Sequence, residues 1–271
     1  MSKIEFVKMV ASGNDFVVLD NRRRTIRGSK LHAFAREACE RNYGIGGDGL
    51  IAVEPSKRAD FRMRIINPDG SEAEMCGNGA RCAALFAKEK KIAGKKMSFE
   101  TLAGIIEAEV DGDVVRLKMP DPTDLRREVR LLIENENYMA HFVNTGVPHT
   151  VIYVEDLDSW DVKRLGREIR HHKTFAPKGT NVDFVQVQKG NLIRVRTYER
   201  GVEDETLACG TGVTASAIIS AAMKDFKSPV TCLTKGGDKL KIYFKRNGDN
   251  FTDVYLEGGA KKVFCGGYIL K

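Results

Sequence analysis

The sequence predicts an α/β protein built as two similar lobes, on three observations. The order strand, turn, strand, helix, strands, glycine-rich turn, helix, strands runs through the first half and again through the second. The stretch Glu74–Cys82, EMCGNGARC, has an echo at Leu207–Ser216, LACGTGVTAS, and both place Cys-Gly-x-Gly ahead of small and apolar residues. RMRIIN (62–67) resembles RVRTYE (194–199), and each stands at the same distance from its cysteine to within one residue. A repeat of this length is far beyond the periods of solenoids and implies a degenerate duplication, two lobes rather than an array.

Each element has a local reason. Residues 4–10 and 15–20 alternate or run apolar about Ser12-Gly13-Asn14, a strand, a turn and a strand. Leu31, Phe34, Ala35 and Ala38 recur at helical spacing, with Ser29 as the cap. GIGGDG (44–49) is a loop by its glycines. Strands follow at 50–54 and 61–66, where Phe61, Met63 and Ile65 alternate with Arg62 and Arg64. NPDG (67–70) is a turn. A helix runs from the glycines after Cys76 to about Lys91, and two or three strands with a turn at Asp111-Gly112-Asp113 close the half. In the second half, HFVNTGVPHTVIYV is again strand, turn, strand, and Val162, Leu165 and Ile169 mark a helix. VDFVQV and LIRVRTY are strands about Lys189-Gly190-Asn191. A small-residue helix follows Cys209, then strands with turns at Gly236-Gly237-Asp238 and Asn247-Gly248-Asp249. The Pro- and charge-rich MPDPTDLRRE (119–128) reads as the linker, so the lobes are residues 1–118 and 119–261.

Composition bounds the partners. With 271 residues, 42% hydrophobic and 30% charged, the chain is of ordinary globular type and long enough for two cores. A net charge of +7 is mild, and its richest clusters, Arg22-Arg23-Arg24 and the region from Lys88 to Lys96, read as solvated surface. No basic stripe interleaved with aromatics points to nucleic acid. No apolar run approaches the ~20 residues of a membrane span, and MSKIEFVKMV lacks the apolar core of a signal peptide, so the expectation is a cytoplasmic protein with reduced thiols. Six cysteines without a Cys-x-x-Cys pair make neither a disulfide framework nor a metal site.

The doubled cysteine is the chemical signal. Glycines opening a helix leave backbone N–H groups aimed at an anion, and the helix dipole adds about half a positive charge there. A thiol at that point is expected to ionise more readily than free cysteine. Two lobes facing each other would present two such thiols across a cleft. Inverting a carbon centre without a cofactor needs a base on one face and an acid on the other, exchanging roles in the reverse direction. Two similar residues meet that need, with preorganised donors for the developing enolate. Pyridoxal chemistry would need a Schiff-base lysine and a phosphate site, and no phosphate-loop signature is present. Cys39, Cys82, Cys232 and Cys265 read as packing residues.

At these residues the chain resembles the diaminopimelate epimerases. KMVASGNDFVVLD (8–20), RIINPDGSEAEMCGNGARC (64–82), NVDFV (181–185) and YERGVEDETLACGTG (198–212) match that family's signatures in order, over nearly the whole chain. The resemblance implies conversion of LL-diaminopimelate to the meso form, with no cofactor and no metal. Cys76 and Cys209 would be the acid–base pair, with Glu199 and His149 near the catalytic centre. It implies the reacting carboxylate on the amides near Gly77, Asn78, Gly210 and Thr211. Asn14, Asn67, Asn181 and Arg200 would hold the far end of the substrate, Arg200 by a bidentate clamp. The implied fold is two pseudo-symmetric lobes, each a mixed, mostly antiparallel sheet wrapped around a central helix, with the active site in the cleft between them. The final strand, about 262–271, would return to the first lobe, and the protein would be a homodimer. Taken alone, Glu199 reads equally as a strand-end ion-pair partner, His149 as a turn histidine and Arg200 as a surface ion pair.

The chain departs from the family pattern in three places. Val147 stands where an asparagine is common, with Asn144 the nearby substitute. The loop from Arg200 to Cys209 is one residue longer and carries Glu203, Asp204 and Glu205 as an acidic patch beside the site. Gly49 replaces a frequent glutamine. Rival readings are a racemase of another amino acid, such as proline or histidine, a thiol-redox protein, and a non-catalytic amino-acid-binding protein. A substrate without a distal carboxylate would leave Arg200 unmatched.

Overall fold

Lys3–Ala11 and Asn14–Asp20 form the antiparallel hairpin that opens the first half of a computed structural model, which describes residues 3–269. Residues 1, 2, 270 and 271, the outer ends of the first lobe and of the returning strand expected above, lie outside the described residues. The chain divides into two compact units. The first runs to Leu117 and resumes at Gly258; the second is Lys118–Glu257.

In the first unit, helix α1 (Ser29–Cys39) carries the chain from the hairpin to Gly49–Glu54, which pairs parallel to Asn14–Asp20. Phe61–Ile66 pairs antiparallel to Gly49–Glu54, and the short Glu72–Ala73 turns back on it. Helix α2 (Gly77–Glu89) follows, then Lys96–Thr101 parallel to Phe61–Ile66, and two antiparallel strands, Gly104–Asp111 and Val114–Lys118. The C-terminal strand Lys261–Ile269 pairs antiparallel with Lys3–Ala11.

The second unit repeats the strand pairings one for one, except that the outer strand beside its first hairpin precedes it in the chain rather than returning from the C-terminus. Glu136–Asn144 lies antiparallel to Pro148–Tyr153 and, on its other edge, to Thr123–Ile133. Helix α3 (Val162–Arg170) leads to Asn181–Val187, parallel to Pro148–Tyr153, and Leu192–Glu199 and Asp204–Thr206 fold back antiparallel. Helix α4 (Gly210–Lys224) is followed by Val230–Thr234, parallel to Leu192–Glu199, then by antiparallel Lys239–Asn247 and Asn250–Gly259. The fold is therefore α/β and duplicated, each lobe a mixed, mostly antiparallel sheet with a helix at its centre.

Two layers of apolar side chains explain the sequence pattern. On Asn14–Asp20, Phe16 and Val18 join the cluster around α2, while Val17 and Leu19 join the cluster around α1. A strand covered on both faces is apolar throughout, which is why VVL and LIAV do not alternate. Helix α2 is buried on every side from Asn78 to Ala87, as α4 is from Gly212 to Ala221, and a helix apolar all round belongs inside. α1 and α3 are amphipathic and cover the outer faces with Leu31, Phe34, Leu165 and Ile169, each side chain contributing about 1.5–3 kcal/mol by burial.

Three local expectations are corrected. Ser29 is the first residue of α1 rather than its cap; Gly28 stands at the cap with φ of 53°, a conformation glycine adopts without strain. The expected linker 119–128 is irregular only at its start, because Thr123–Ile133 is drawn into the sheet by pairing with Glu136–Asn144. Cys265 is exposed, since Lys261–Ile269 is exposed along most of its length, whereas Cys39, Cys82 and Cys232 are buried as read.

Candidate active site

Both cysteines occupy the N-cap of a central helix. Cys76 has extended backbone angles at the head of α2, and its Sγ accepts the Gly79 N–H at 3.5 Å. Cys209 has nearly the same backbone conformation at the head of α4. The first amides of each helix, at Gly77 and Asn78 and at Gly210 and Thr211, have no intrahelical acceptor and carry the positive end of the dipole. A β-carbon at Gly77 would meet nothing within 4 Å, so the space over that helix end is open.

In the first unit a polarised chain of hydrogen bonds orients the polar side chains beside Cys76. Arg81, fully buried on α2, donates to Ser12 Oγ (2.7 Å) and to Asn78 Oδ1 (2.8 Å). Asn78 Nδ2 then donates to Asn14 Oδ1 (2.6 Å), and Asn14 Nδ2 to Asp48 Oδ2 (3.0 Å). Because a guanidinium only donates, the direction of every later bond follows from it, and both amides are held in one orientation. Asn67 Nδ2 donates to Ser71 Oγ (2.9 Å), which places this side chain over the NPDG turn.

In the second unit the residues converge more tightly. His149 is fully buried; its Nδ1 lies 2.7 Å from Asp183 Oδ2 and its Nε2 2.9 Å from Thr211 Oγ1. Thr211 Oγ1 lies in turn 3.4 Å from Cys209 Sγ. Asp183, also fully buried, accepts the Thr197 hydroxyl at its other oxygen (2.7 Å). Asn181 accepts the Arg200 N–H at Oδ1 (2.8 Å) and donates from Nδ2 to Pro148 O (3.1 Å), so it pins two loops together. His149 is thus a core residue built into a polar network, not a turn histidine. Neither Asp183 nor Thr197 was singled out from the sequence. The available signal was a charged residue at an inward position of the apolar strand NVDFV, which a buried strand tolerates only with partners.

Electrostatics overturn one expectation. Burial pushes the Cys209 thiol well above its ordinary value, and the Glu199 and Asp183 carboxylates add to the effect. The Thr211 hydroxyl and Gly212 N–H oppose it and are outweighed, so Cys209 is harder to ionise than free cysteine, not easier. Desolvation of an anion is larger here than the attraction of one helix end. Burial likewise pushes the Glu199 carboxyl up, with Asp183 adding to it, while Thr206, His149 and the Cys209 thiol pull the other way. Glu199 therefore faces a thiol rather than closing an ion pair at its strand end.

The expected acidic patch is neutralised. Glu203 meets Arg170 Nε (3.1 Å), Asp204 meets Lys163 Nζ (2.8 Å), and Glu205 is clasped by Arg196 Nε and Lys235 Nζ (both 2.6 Å). Two of these partners lie on α3, so the longer loop is tied to the outer helix. Arg200 donates from Nη1 to Lys178 O (3.3 Å) and has no carboxylate partner among the described residues, which removes the surface ion-pair reading. It lines a recess of about 360 Å³ with Arg126, Asn144, Val147 and Lys178. Asn144 Oδ1 accepts the Gly146 N–H (3.0 Å) and so closes the turn that carries Val147.

The sequence profile of the diaminopimelate epimerases matches residues 6–123 and 141–263. The chain is 47% identical over 275 residues to the diaminopimelate epimerase of Aquifex aeolicus, covering 97% of each chain. It is 44% identical over 271 residues to that of a Hydrogenobaculum species, covering 96% of each. Among solved structures, a Bacillus anthracis phenazine biosynthesis protein of the PhzF family superposes with a TM-score of 0.77 at 16% identity, covering 100% of both chains, a likeness of fold.

Proposed function

The chain belongs to the diaminopimelate epimerase family, and from that premise we propose that Cys76 and Cys209 invert one α-carbon of LL-diaminopimelate as a thiol–thiolate pair. A thiolate removes the α-proton from one face while the other thiol delivers a proton to the opposite face, giving the meso isomer. The α-proton is weakly acidic, so the developing enolate needs donors already in place. The amides of Gly77, Asn78, Gly210 and Thr211, at two helix N-termini, suit that task. No pyridoxal phosphate and no metal are required, since the two thiols supply both acid and base.

The observation that carries this reading is the duplication itself: two cysteines on the N-caps of two central helices in units with the same strand pairings. Stereoinversion is the chemistry that uses two like groups in exchangeable roles. The raised thiol of Cys209 suits it to rest as the acid. Asn14, Asn67, Asn181 and Arg200 are assigned to the unreactive end of the substrate. Arg200, without a carboxylate partner among the described residues, is available for a bidentate clamp on the distal carboxylate. Holding a long substrate at that end orients the reacting centre and sets specificity. Glu199 faces the Cys209 thiol, and burial raises its affinity for a proton, which suits it to exchange one with that thiol.

The reading also carries a homodimer and a cytoplasmic setting; light scattering on the purified protein tests the first. None of the helices among the described residues is long and apolar enough to cross a membrane. The deciding experiment is proton NMR of the reduced enzyme with LL-diaminopimelate in D₂O, without added pyridoxal phosphate. Deuterium at one α-carbon with accumulation of the meso isomer is expected. Folded protein with titratable thiols and no exchange would reject the assignment.

A further inference from the structure

The hairpins that open the two units differ at one corner. Phe16 stands opposite Gly49 as His149 stands opposite Asn181, so Asn14, Asp15 and Asp48 correspond to Val147, Pro148 and Thr180. On the neighbouring strand Lys8 stands opposite Val17 as Phe142 stands opposite Thr150, so Lys8 corresponds to Phe142. The first unit thus carries an amide and three charged side chains where the second has valine, proline, threonine and phenylalanine. A fourth charge, Arg41, joins them from the loop after α1. Lys8 Nζ lies 2.7 Å from Asp15 Oδ2 and also donates to Gly46 O. Arg41 meets both oxygens of Asp15 (2.8 and 3.2 Å) and reaches Asp48 Oδ1 through Nη2 (2.6 Å). Burial opposes ionisation of Asp15, but the hydrogen bonds from Arg41 and Lys8 outweigh it and hold the carboxyl below its ordinary value. Lys8 is buried, and a buried ammonium is costly without such partners. The loop passes close only as glycine: a β-carbon at Gly47 would lie 3.1 Å from both Lys8 Nζ and Asp15 O.

We propose that Asp48 is the positioning residue for the Asn14 amide, with Arg41, Asp15 and Lys8 holding the Asp48 carboxylate and its loop in place. The inference rests on the assignment of Asn14 to the substrate given above. Asp48 Oδ2 accepts Asn14 Nδ2–H (3.0 Å) and the Asp15 N–H (3.2 Å), while Oδ1 accepts Arg41. A carboxylate only accepts and a guanidinium only donates. Asn14 and Asn78 therefore stand between a pure acceptor, Asp48, and a pure donor, Arg81, and one orientation of each amide satisfies both ends. An Asn14 amide turned over would set its nitrogen against Asn78 Nδ2 and its oxygen against Asp48. The orientation that is held leaves Asn14 one Nδ2–H and one lone pair of Oδ1, in fixed directions, for a ligand. Val147, at the corresponding place of the second unit, has no polar side-chain atom to orient, and Phe142, Pro148 and Thr180 stand there in place of the charges. Amide and cluster occur together in one unit and are absent together from the other. A cluster needed only to hold the hairpin has no reason to follow the amide.

The test is a double-mutant cycle on epimerisation of LL-diaminopimelate, with Asn14→Ala, Asp48→Asn and the two combined. An asparagine at 48 accepts at one oxygen only, so its nitrogen must face either Arg41 or the two donors at Asn14 and Asp15. Asp48→Asn is expected to lower kcat/KM about tenfold, the effect of one oriented hydrogen bond. In the Asn14→Ala background the same change is expected to alter kcat/KM by less than about twofold, because Asp48 acts through Asn14. A merely structural role lowers activity by the same factor in both backgrounds, and that result overturns the proposal. Arg41→Gln, at a mostly exposed arginine, carries the same cycle if Asp48→Asn fails to fold. A second readout needs no substrate. The side-chain amide signals of Asn14 and Asn78 in proton–nitrogen NMR are assigned by their disappearance in Asn14→Ala and Asn78→Ala. Asp48→Asn should shift both, since one chain of bonds runs through both amides, and an unmoved Asn14 signal overturns the proposal. Asn14→Ala at wild-type kcat/KM would reject the assignment of Asn14 to the substrate, and wild-type protein inert toward diaminopimelate would reject the substrate itself. In either case the NMR shifts still decide whether Asp48 orients the amide.

Discussion

Gly212→Ala should damage the fold, while Gly79→Ala, the same change at the equivalent point of the other unit, should not. At Gly212 the new β-carbon overlaps Asp183 Oδ1, and Asp183 cannot yield freely because it holds His149 Nδ1 and Thr197 Oγ1, each at 2.7 Å. Displacing the carboxylate loses two buried bonds to a charged group at about 1.5–3 kcal/mol each, against about 1 kcal/mol gained from alanine in a helix, a net loss of about 2–5 kcal/mol. At Gly79 the contact is the Cδ1 end of Ile65 at 2.9 Å, which a small rotation relieves. That variant should stay within about 1 kcal/mol of wild type, strain and helix gain nearly cancelling. Guanidinium unfolding of the three proteins measures the difference as a shift in midpoint at unchanged slope. Gly212→Ala at or above wild-type stability would show that Asp183 is not pinned, and the reasoning from its hydrogen bonds would fail.

Cys76→Ala and Cys209→Ala should each fold, as circular dichroism can check, and lose at least about 100–10,000-fold in epimerisation, the range for removing one acid–base group; turnover retained in either excludes a two-thiol mechanism. Arg200→Ala should lower kcat/KM for diaminopimelate about 100-fold or more, the effect of about 3 kcal/mol of charge-assisted bonding, without unfolding the protein. Glu199→Gln should stabilise the fold at pH 7.5. The Glu199 carboxyl is raised above 4.5 in the folded state, mainly by burial, so folding favours its protonated form. That contribution is present below 4.5 and is lost as pH rises through the folded value. The gain from glutamine should therefore vanish near pH 4, and a gain independent of pH in denaturation curves would contradict it. Glu205→Gln should act in reverse. Burial opposes ionisation there, but Arg196 and Lys235 outweigh it and hold the carboxyl below its ordinary value. Its substitution should cost stability at pH 7.5 and progressively less as pH falls below 4.5.

Much of the architecture is legible because its determinants are local. The alternation of Phe61, Met63 and Ile65 and the helical spacing of Leu31, Phe34, Ala35 and Ala38 are properties of a few consecutive residues. Legibility fails where pairing is non-local: Thr123–Ile133 has the composition of a linker and becomes a strand because Glu136–Asn144 lies beside it. Glu203, Asp204 and Glu205 read as an acidic patch until Arg170, Lys163 and Arg196 arrive from other elements.

By itself the sequence determined the duplication, the order of its elements and the placing of both cysteines ahead of a glycine-opened helix. Periodicity, turn chemistry and capping act over a turn or two of chain, and so are written in adjacent residues. Only the tertiary structure decided what surrounds each thiol. His149, Asp183, Thr197 and Thr211 come from three strands and a helix and meet in one buried layer, and the ionisation of Cys209 follows from the water excluded there and the charges gathered around it. Desolvation and Coulomb energy depend on distances in space, which is why two near-identical motifs hold cysteines in such different surroundings.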